Sequence, residues 1–151
     1  MIACIFYVMR ACFYVIMTDF YLIEPFDKRR EFILEQHTEQ LTEIFKEWKE
    51  KSPFIADCFK NRDRKKAKEP MIYFFQQFLM ALFLGNRKTA NEQDLIKWKE
   101  YVKELERLPV NVVERLSFIE GQPDHYQSFI QLSELFSEWE KKSVILFKRK
   151  T

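Results

Sequence analysis

The sequence predicts an all-α protein, a compact bundle of five to six helices around a central apolar helix at about residues 70–85. The central segment, PMIYFFQQFLMALFLG, is apolar on most sides, begins with a proline and ends with a glycine, which is the pattern of a buried helix. Flanking segments repeat apolar residues at spacings of three and four, as helices do. The chain has only two glycines, too few for the many tight turns of a β-sandwich.

The length of 151 residues is that of a single domain, and an apolar fraction of 47% is enough to fill its core. Basic and acidic residues are balanced, 25 against 23, so the chain as a whole has no strong electrostatic field. Cys4, Cys12 and Cys58 form neither a disulfide framework nor a metal-ligand spacing with the two histidines. We therefore expect no cofactor and no metal, and a location in the reducing cytoplasm.

Residues 1–17 form an apolar N-terminal extension interrupted by a single charge, Arg10. A membrane-spanning or signal segment would place Arg10 in mid-span, at a cost of about 2.5 to 3.5 kcal/mol. A second hypothesis is an extra helix or strand of the domain. We favour a third, a start codon assigned too early, with the protein beginning at Met17 and residues 18–151 forming a single helical domain.

The first long helix is predicted to run from an N-cap at Asp27 to about Glu50. Its apolar stripe places His37 on the buried face: Leu34, His37, Leu41, Ile44 and Trp48. We interpret His37 as a core histidine with one hydrogen-bond partner, because no catalytic motif surrounds it. Pro53 is predicted to open a shorter helix that ends at Asn61.

The most polar stretch of the chain follows, KNRDRKKAKE at residues 60–69. Its six basic side chains are candidate phosphate contacts: Lys60, Arg62, Arg64, Lys65, Lys66 and Lys68. A basic cluster of this kind can bind nucleic-acid phosphates, but the segment has no aromatic residue that would stack on bases. We prefer the interpretation that it is a solvated connection between helices.

Two capping boxes mark the starts of the next two helices. Asn91 and Asp94 precede one helix, and Asn111 and Glu114 precede a shorter one that is closed by Gly121. In a capping box, the first side chain accepts a hydrogen bond from the backbone three residues on, and the later side chain accepts one in return.

The last helix is predicted to begin at Pro123 and Asp124. All the prolines then fall at helix boundaries, where a missing N–H costs least: Pro25, Pro53, Pro70, Pro109 and Pro123. Trp48, Trp98 and Trp139 lie on apolar stripes, and we interpret them as core residues.

The chain contains no motif of a known catalytic site. It has no glycine-rich phosphate loop, no G-x-S-x-G and no H-E-x-x-H. A di-metal carboxylate site in a helical bundle needs Glu-x-x-His motifs on facing helices, and neither Glu35 with His37 nor Glu120 with His125 has that spacing. We therefore expect no enzymatic activity and no catalytic residues.

Residues 109–132 combine adjacent charges with apolar neighbours. Arg115 is interpreted as a member of a buried ion pair within the fold, and the alternative is an anchor for an anionic partner. His125 and Tyr126 follow the next turn, and we expect them to border the same surface. The candidate partner surface therefore comprises five residues: Asn111, Glu114, Arg115, His125 and Tyr126.

A set of short motifs in this part of the chain forms a recognisable pattern: Leu108-Pro109-Val110-Asn111, Glu114-Arg115-Leu116, Phe118-Ile119, His125-Tyr126 and Gln131-Leu132-x-x-Leu135-Phe136-x-Glu138, preceded by Gly85-Asn86. In these motifs the chain resembles the YpoC-like family of small helical proteins from Gram-positive bacteria. The resemblance extends over about residues 26–142. It implies a cytoplasmic helical domain, and it supplies no catalytic residues.

The expected function is that of a soluble, non-enzymatic protein-interaction module with an unknown protein partner. The alternative is a nucleic-acid-binding accessory protein that uses residues 60–68. Integral membrane association is expected only if residues 2–16 belong to the native protein and are inserted.

Overall fold

The structure, a computed structural model, describes residues 26–148. The apolar extension and the hypotheses about it lie outside these residues, as do Arg149 and Lys150 of the basic tail. The described residues form six helices and no strand, which confirms the all-α prediction. The helices are α1 (Phe26–Lys60), α2 (Arg64–Gly85), α3 (Glu92–Ile96), α4 (Trp98–Lys103), α5 (Val112–Gly121) and α6 (Tyr126–Lys148).

The chain divides into two compact units, residues 1–36 and residues 37–151. Of the first unit, the structure describes residues 26–36, which are the first turns of α1. Asp27 lies within α1 and not before it, so the N-cap predicted there is wrong. The core, the loops and the surfaces described below all belong to the second unit.

Helix α1 continues through Pro53, so the predicted break between residues 50 and 53 is wrong. A proline inside a helix removes one hydrogen bond and costs about 3 kcal/mol. The cost is offset by packing, because the buried stripe continues beyond Trp48 to Ile55 and Cys58, which are 0% and 5% exposed. The Pro53 ring itself lies on the exposed side.

Helix α2 is the central apolar helix, and it begins six residues earlier than predicted, at Arg64 rather than Pro70. Asp63 caps it, since the backbone N–H of Lys66 donates to Asp63 Oδ1 over 3.1 Å. Buried side chains line most of its length. Residues 64–69, six of the ten residues of the basic segment that the sequence suggested was a connection, therefore form the start of this helix.

The turn after α1 is a Schellman motif, with Arg62 in the left-handed conformation at φ 58°. The Asp63 N–H donates to the Cys58 carbonyl over 2.8 Å, and the Arg62 N–H donates to the Phe59 carbonyl over 3.0 Å. These bonds satisfy carbonyls that the end of a helix leaves free.

The turn after α2 has the same design, with Arg87 at φ 59°. The Lys88 N–H donates to the Phe83 carbonyl and the Arg87 N–H to the Leu84 carbonyl, both over 2.9 Å. Arginine thus occupies both left-handed positions, where glycine is the usual residue. Gly85 lies two residues earlier, in the last turn of α2.

The core is built on aromatic rings. Trp48 stacks on Phe136 at a centroid distance of 4.5 Å. The rings of Phe74 and Phe78 also pack against Phe136, in T-shaped, edge-to-face geometry. The Trp139 indole is fully buried and donates from Nε1 to the Ala81 carbonyl over 2.8 Å. Trp48, Trp98 and Trp139 are all buried, as predicted.

His37 is buried, which confirms its predicted place on the inner face of α1. Its Nδ1 has no hydrogen-bond partner. Burial lowers the pKa of His37 below its ordinary value, because the charged imidazolium is poorly solvated there. The neutral imidazole is therefore the form that suits this site.

The segment after α2 folds as two short helices, α3 and α4, with a break at Lys97. The predicted capping box is confirmed, since Asn91 and Asp94 exchange hydrogen bonds of 2.9 Å. The second box is wrong. Asn111 precedes α5 in the left-handed conformation at φ 52° and its side chain makes no capping bond, because a capping side chain needs an extended backbone to face the helix N–H groups.

Candidate functional site

The structure divides the predicted partner surface between the two ends of α5. Asn111 and Glu114 lie at its beginning, whereas His125 and Tyr126 follow its last residue. A helix of this length rises about 15 Å. The five predicted residues therefore do not form one continuous patch.

Arg115 is joined to α6 and to the loop before α5 by all five of its N–H groups. Nε donates to Gln131 Oε1 over 2.9 Å, and the terminal nitrogens donate to the carboxylates of Glu138 (3.1 Å) and Glu134 (3.3 Å). The carbonyls of Val110 and Gln131 accept the other two, each over 3.5 Å. The side chain is 18% exposed. This geometry supports the interpretation of Arg115 as an internal ion-pair residue.

Glu138 extends the same network. Its Oε1 accepts from the Val110 N–H over 3.1 Å and from Lys142 Nζ over 2.9 Å, while Lys142 also donates to the Leu108 carbonyl. Burial alone would raise the pKa of Glu138, but the hydrogen bonds from Lys142, Val110 and Arg115 hold that pKa below its ordinary value. The ionised carboxylate is therefore part of the folded structure.

Asn86 binds the loop before α5 from the other side. This loop spans residues 104–111. The side-chain amide of Asn86 donates to the Arg107 carbonyl over 2.8 Å and accepts from the Arg107 N–H over 2.9 Å. Side chains thus supply the hydrogen bonds that a loop without regular structure lacks. We name the residues that do so the loop-binding residues: Asn86, Arg115, Glu138 and Lys142.

The other two residues of the predicted surface are exposed. Tyr126 is 58% exposed, and its ring packs against Phe59 and Phe129 at centroid distances of 5.9 and 6.2 Å. His125 contributes its backbone to the turn, where its N–H donates to the Gln122 carbonyl. They border the junction of α1 with the start of α6.

The six candidate phosphate contacts are all exposed, but two of them are engaged within the fold. Arg64 forms an ion pair with Asp124 at 3.1 Å and also donates to its carbonyl. Lys66 places its ammonium over the Phe54 ring, 5.4 Å from the centroid. Within residues 26–148, the other four make no ion pair: Lys60, Arg62, Lys65 and Lys68.

The described residues contain no group of three or more His, Cys, Asp or Glu side chains that could hold a metal ion. Cys58 is a buried free thiol. A search of the same residues finds no helix with the length and apolar character needed to cross a membrane.

A groove of about 880 Å³ lies between α2, α3, α4 and the end of α5. We call it the aliphatic groove. Its apolar walls include Ile72, Phe75, Leu79, Leu95, Ile96 and Trp98, and charged side chains of Lys68, Glu92 and Glu120 also line it. Ile96 is 71% exposed and Ile72 is 40% exposed, so two large apolar side chains face solvent at the same place.

Glu120 is held in position beside the buried Trp98. The Trp98 Nε1 group donates to Glu120 Oε1 over 3.0 Å, and Lys99 Nζ lies 2.9 Å from Oε2. Burial would raise the pKa of Glu120, but these hydrogen bonds and the Lys99 charge lower it below its ordinary value. One wall of the groove therefore carries an ionised carboxylate that is paired with Lys99.

The aliphatic groove was not predicted from the sequence. The signal available in the sequence was a pair of isoleucines, Ile72 and Ile96. Both lie at solvent-facing positions, where the predicted fold did not require an apolar side chain. Only the fold shows that they line one groove, because it packs α3 and α4 against α2.

Comparisons with known proteins give one result. A family model described as YpoC-like protein matches residues 38–151. Neither the curated proteins nor the solved structures include a match to this chain. The match covers most of the chain and contains the loop, Arg115 and Glu138, which carried the resemblance in the sequence. The chain therefore belongs to the YpoC-like protein family.

Proposed function

We propose that this protein is a non-catalytic interaction module whose aliphatic groove binds an amphipathic helix of a partner protein. The observation that carries the proposal is the exposure of Ile72 and Ile96 in a single groove above the buried Trp98. Exposed apolar side chains that are grouped and bordered by charges are typical of protein-binding surfaces.

The groove has the dimensions of a helix-binding site. Its lining residues on α2 extend from Lys68 to Leu79, which is about 16 Å, or three helical turns. A partner helix of three turns would present apolar residues at positions i, i+3 or i+4, and i+7 to such a groove. Trp98 is only 2% exposed and lies beneath the groove, where it supports the apolar lining.

Charges at the groove favour an ordered orientation of the partner. Glu120 is fixed by Trp98 and Lys99, and Lys68 lies on another element, α2. A partner helix with a basic residue towards Glu120 and an acidic residue towards Lys68 would match both. Such pairs contribute more to orientation and specificity than to affinity.

The proposal favours a protein over a nucleic acid as the partner. Arg64 and Lys66 already have partners within the fold, which leaves four of the six predicted phosphate contacts. The aliphatic groove, by contrast, offers apolar area that phosphates cannot use. The nucleic-acid hypothesis therefore becomes an outcome of the test.

The test is site-specific photo-cross-linking in the full chain. A benzophenone amino acid replaces Ile96 in one variant, Ile72 in a second, and Val144 in a control; Val144 is 46% exposed and does not line the groove. We expect positions 72 and 96 to cross-link to the same amphipathic segment of one protein, and position 144 not to do so.

A synthetic peptide of the cross-linked segment then gives the affinity. Ile72→Asp and Ile96→Asp should each weaken binding at least tenfold, and Val144→Asp less than twofold. Equal cross-linking from all three positions, or no product at positions 72 and 96, would overturn the proposal. Cross-linking to nucleic acid would establish the alternative.

A further inference from the structure

We propose that a second groove, between α1 and α2, binds arginine side chains of a basic segment in a partner protein. The groove has a volume of about 610 Å³ and is called the aromatic groove here. Its charged and exposed aromatic lining residues are Glu47, Glu50, Lys51, Phe54, Glu69 and Tyr73. None of its lining residues belongs to the aliphatic groove, so this inference does not depend on the proposed function.

The floor of the aromatic groove exposes two rings. Phe54 is 44% exposed and Tyr73 is 42% exposed, and they lie on different helices. Aromatic faces attract cations because their electron density is concentrated above and below the ring. The ammonium of Lys66 lies over the Phe54 ring, so one face of that ring is occupied within the folded protein and the site proposed for arginine is at Tyr73.

The rim of the aromatic groove is acidic. Three glutamates, Glu47, Glu50 and Glu69, line it together with one lysine, Lys51. The Lys66 ammonium also lies here, over the Phe54 ring, so acidic side chains outnumber basic ones three to two, whereas the whole chain has a net charge of +2. This local excess of negative charge favours a cationic partner and repels the phosphates of nucleic acids.

Tyr73 and Glu47 together define the site for arginine. The Tyr73 hydroxyl donates to the Glu47 carboxylate and lies 3.0 Å from each of its oxygens. The carboxylate is therefore held at the edge of the same ring that a planar cation would cover. A guanidinium stacked on Tyr73 can reach Glu47 through its N–H groups, whereas a lysine ammonium cannot stack in this way.

Fluorescence anisotropy with the full chain tests the inference. The probes are a fluorescein-labelled peptide of alternating arginine and glycine, the same peptide with lysine, and the same peptide with glutamate. At low salt we expect the arginine peptide to bind at least threefold more tightly than the lysine peptide, and the glutamate peptide not to bind. Binding should weaken as salt is added, because the rim charges are exposed.

Two triple variants distinguish peptide binding at the aromatic groove from a general effect of the protein's net charge. Glu47→Gln/Glu50→Gln/Glu69→Gln removes three charges from the rim, and Glu100→Gln/Glu104→Gln/Glu106→Gln removes three exposed charges elsewhere. The first should weaken binding of the arginine peptide at least fivefold, and the second less than twofold. Equal weakening by both would show that only net charge matters and would overturn the inference.

Two substitutions at residue 73 test the ring. Tyr73→Phe keeps the ring and should retain most of the preference for arginine over lysine, whereas Tyr73→Leu should abolish it. Thermal unfolding of each variant confirms that it is folded at the assay temperature. Equal affinities for the arginine and lysine peptides in the unsubstituted protein, or no binding of either at low salt, would also overturn the inference.

Discussion

The indole of Trp139 lies directly against the α-carbon of Gly85. A β-carbon on Gly85 would lie 2.9 Å from Trp139 Cε2 and 3.1 Å from Nε1, both shorter than ordinary contacts between such atoms. The missing side chain lets α6 approach the last turn of α2, where Nε1 of the same indole donates to Ala81. Gly85 is therefore a packing residue, and the left-handed position of this turn belongs to Arg87.

Replacement of Gly85 by alanine should destabilise the protein. Overpacking of this kind costs about 1 to 3 kcal/mol, and the better helix propensity of alanine returns up to about 1 kcal/mol. We expect a net loss of about 1 to 2 kcal/mol in the free energy of unfolding, measured by urea denaturation. Gly121→Ala is the matched control, because a β-carbon there meets no atom within 4 Å. A Gly85→Ala variant as stable as this control would contradict the packing role.

Replacement of Arg115 by alanine should cost about 2 to 4 kcal/mol of stability. The change leaves the partly buried Glu138 without one of its cationic partners and removes all five hydrogen bonds of Arg115. Lysine should recover less than half of the loss, since it cannot span the same acceptors.

The control for Arg115 is Lys99→Ala. Lys99 is paired with Glu120, but both side chains are largely exposed, so its removal should cost less than about 1 kcal/mol. Urea denaturation of the three variants measures these differences. Comparable losses for Arg115→Ala and Lys99→Ala would argue against an internal role for Arg115.

Stability should fall in acid, in part through Glu138. The pKa of Glu138 is lower in the folded chain than the ordinary value of 4.5, so the unfolded chain binds protons first as the pH falls. Glu138 makes its full contribution to the free energy of unfolding above about pH 5. This contribution is lost as the pH falls through the pKa that Glu138 has in the folded chain. Glu138→Gln should therefore lower stability at neutral pH and reduce the slope of unfolding free energy between pH 5 and 3.

Two further variants serve as references for that pH dependence. Glu120→Gln should also reduce the slope, because the pKa of Glu120 is lowered as well. Glu104→Gln removes the charge of an exposed carboxylate that makes no ion pair within residues 26–148 and serves as the surface control. If Glu138→Gln and Glu104→Gln give the same slope, the bonds to Glu138 do not contribute to acid stability.

Glycine at either left-handed arginine should stabilise the protein. A residue with a β-carbon loses about 1 to 2 kcal/mol in this conformation, and the entropy that glycine adds to the unfolded chain offsets part of the gain. We expect Arg62→Gly and Arg87→Gly each to raise stability by about 0.5 to 1 kcal/mol. Lys65→Gly, in the first turn of α2, should lower it instead. A loss of stability in all three would show that the arginine side chains support these turns.

Local sequence patterns were sufficient to predict much of the fold. The central helix, the burial of the three tryptophans and the capping box at Asn91 follow from spacing and from short-range hydrogen bonding. Pro53 was misjudged because its local cost is outweighed by the burial of Ile55, which depends on distant elements. The cap at Asn111 failed because the neighbouring loop sets its backbone angle.

The candidate sites were less predictable than the fold. The sequence indicated an ion pair at Arg115, but not its acceptors, since Gln131, Glu134 and Glu138 come from another helix. The aliphatic and aromatic grooves depend on which residues of α2 face each neighbouring helix. That information exists only after the helices have packed.

The four loop-binding residues, Asn86, Arg115, Glu138 and Lys142, also bear on how the family is recognised. Three of them, Asn86, Arg115 and Glu138, belong to the motifs that made the chain recognisable as YpoC-like, and each makes at least one hydrogen bond to the backbone of residues 107–110. In this chain the motif residues thus account for an ordered loop, and the motifs do not identify what the protein binds. The identity of a partner has to be sought in residues that the motifs leave out, such as Ile72, Tyr73 and Ile96.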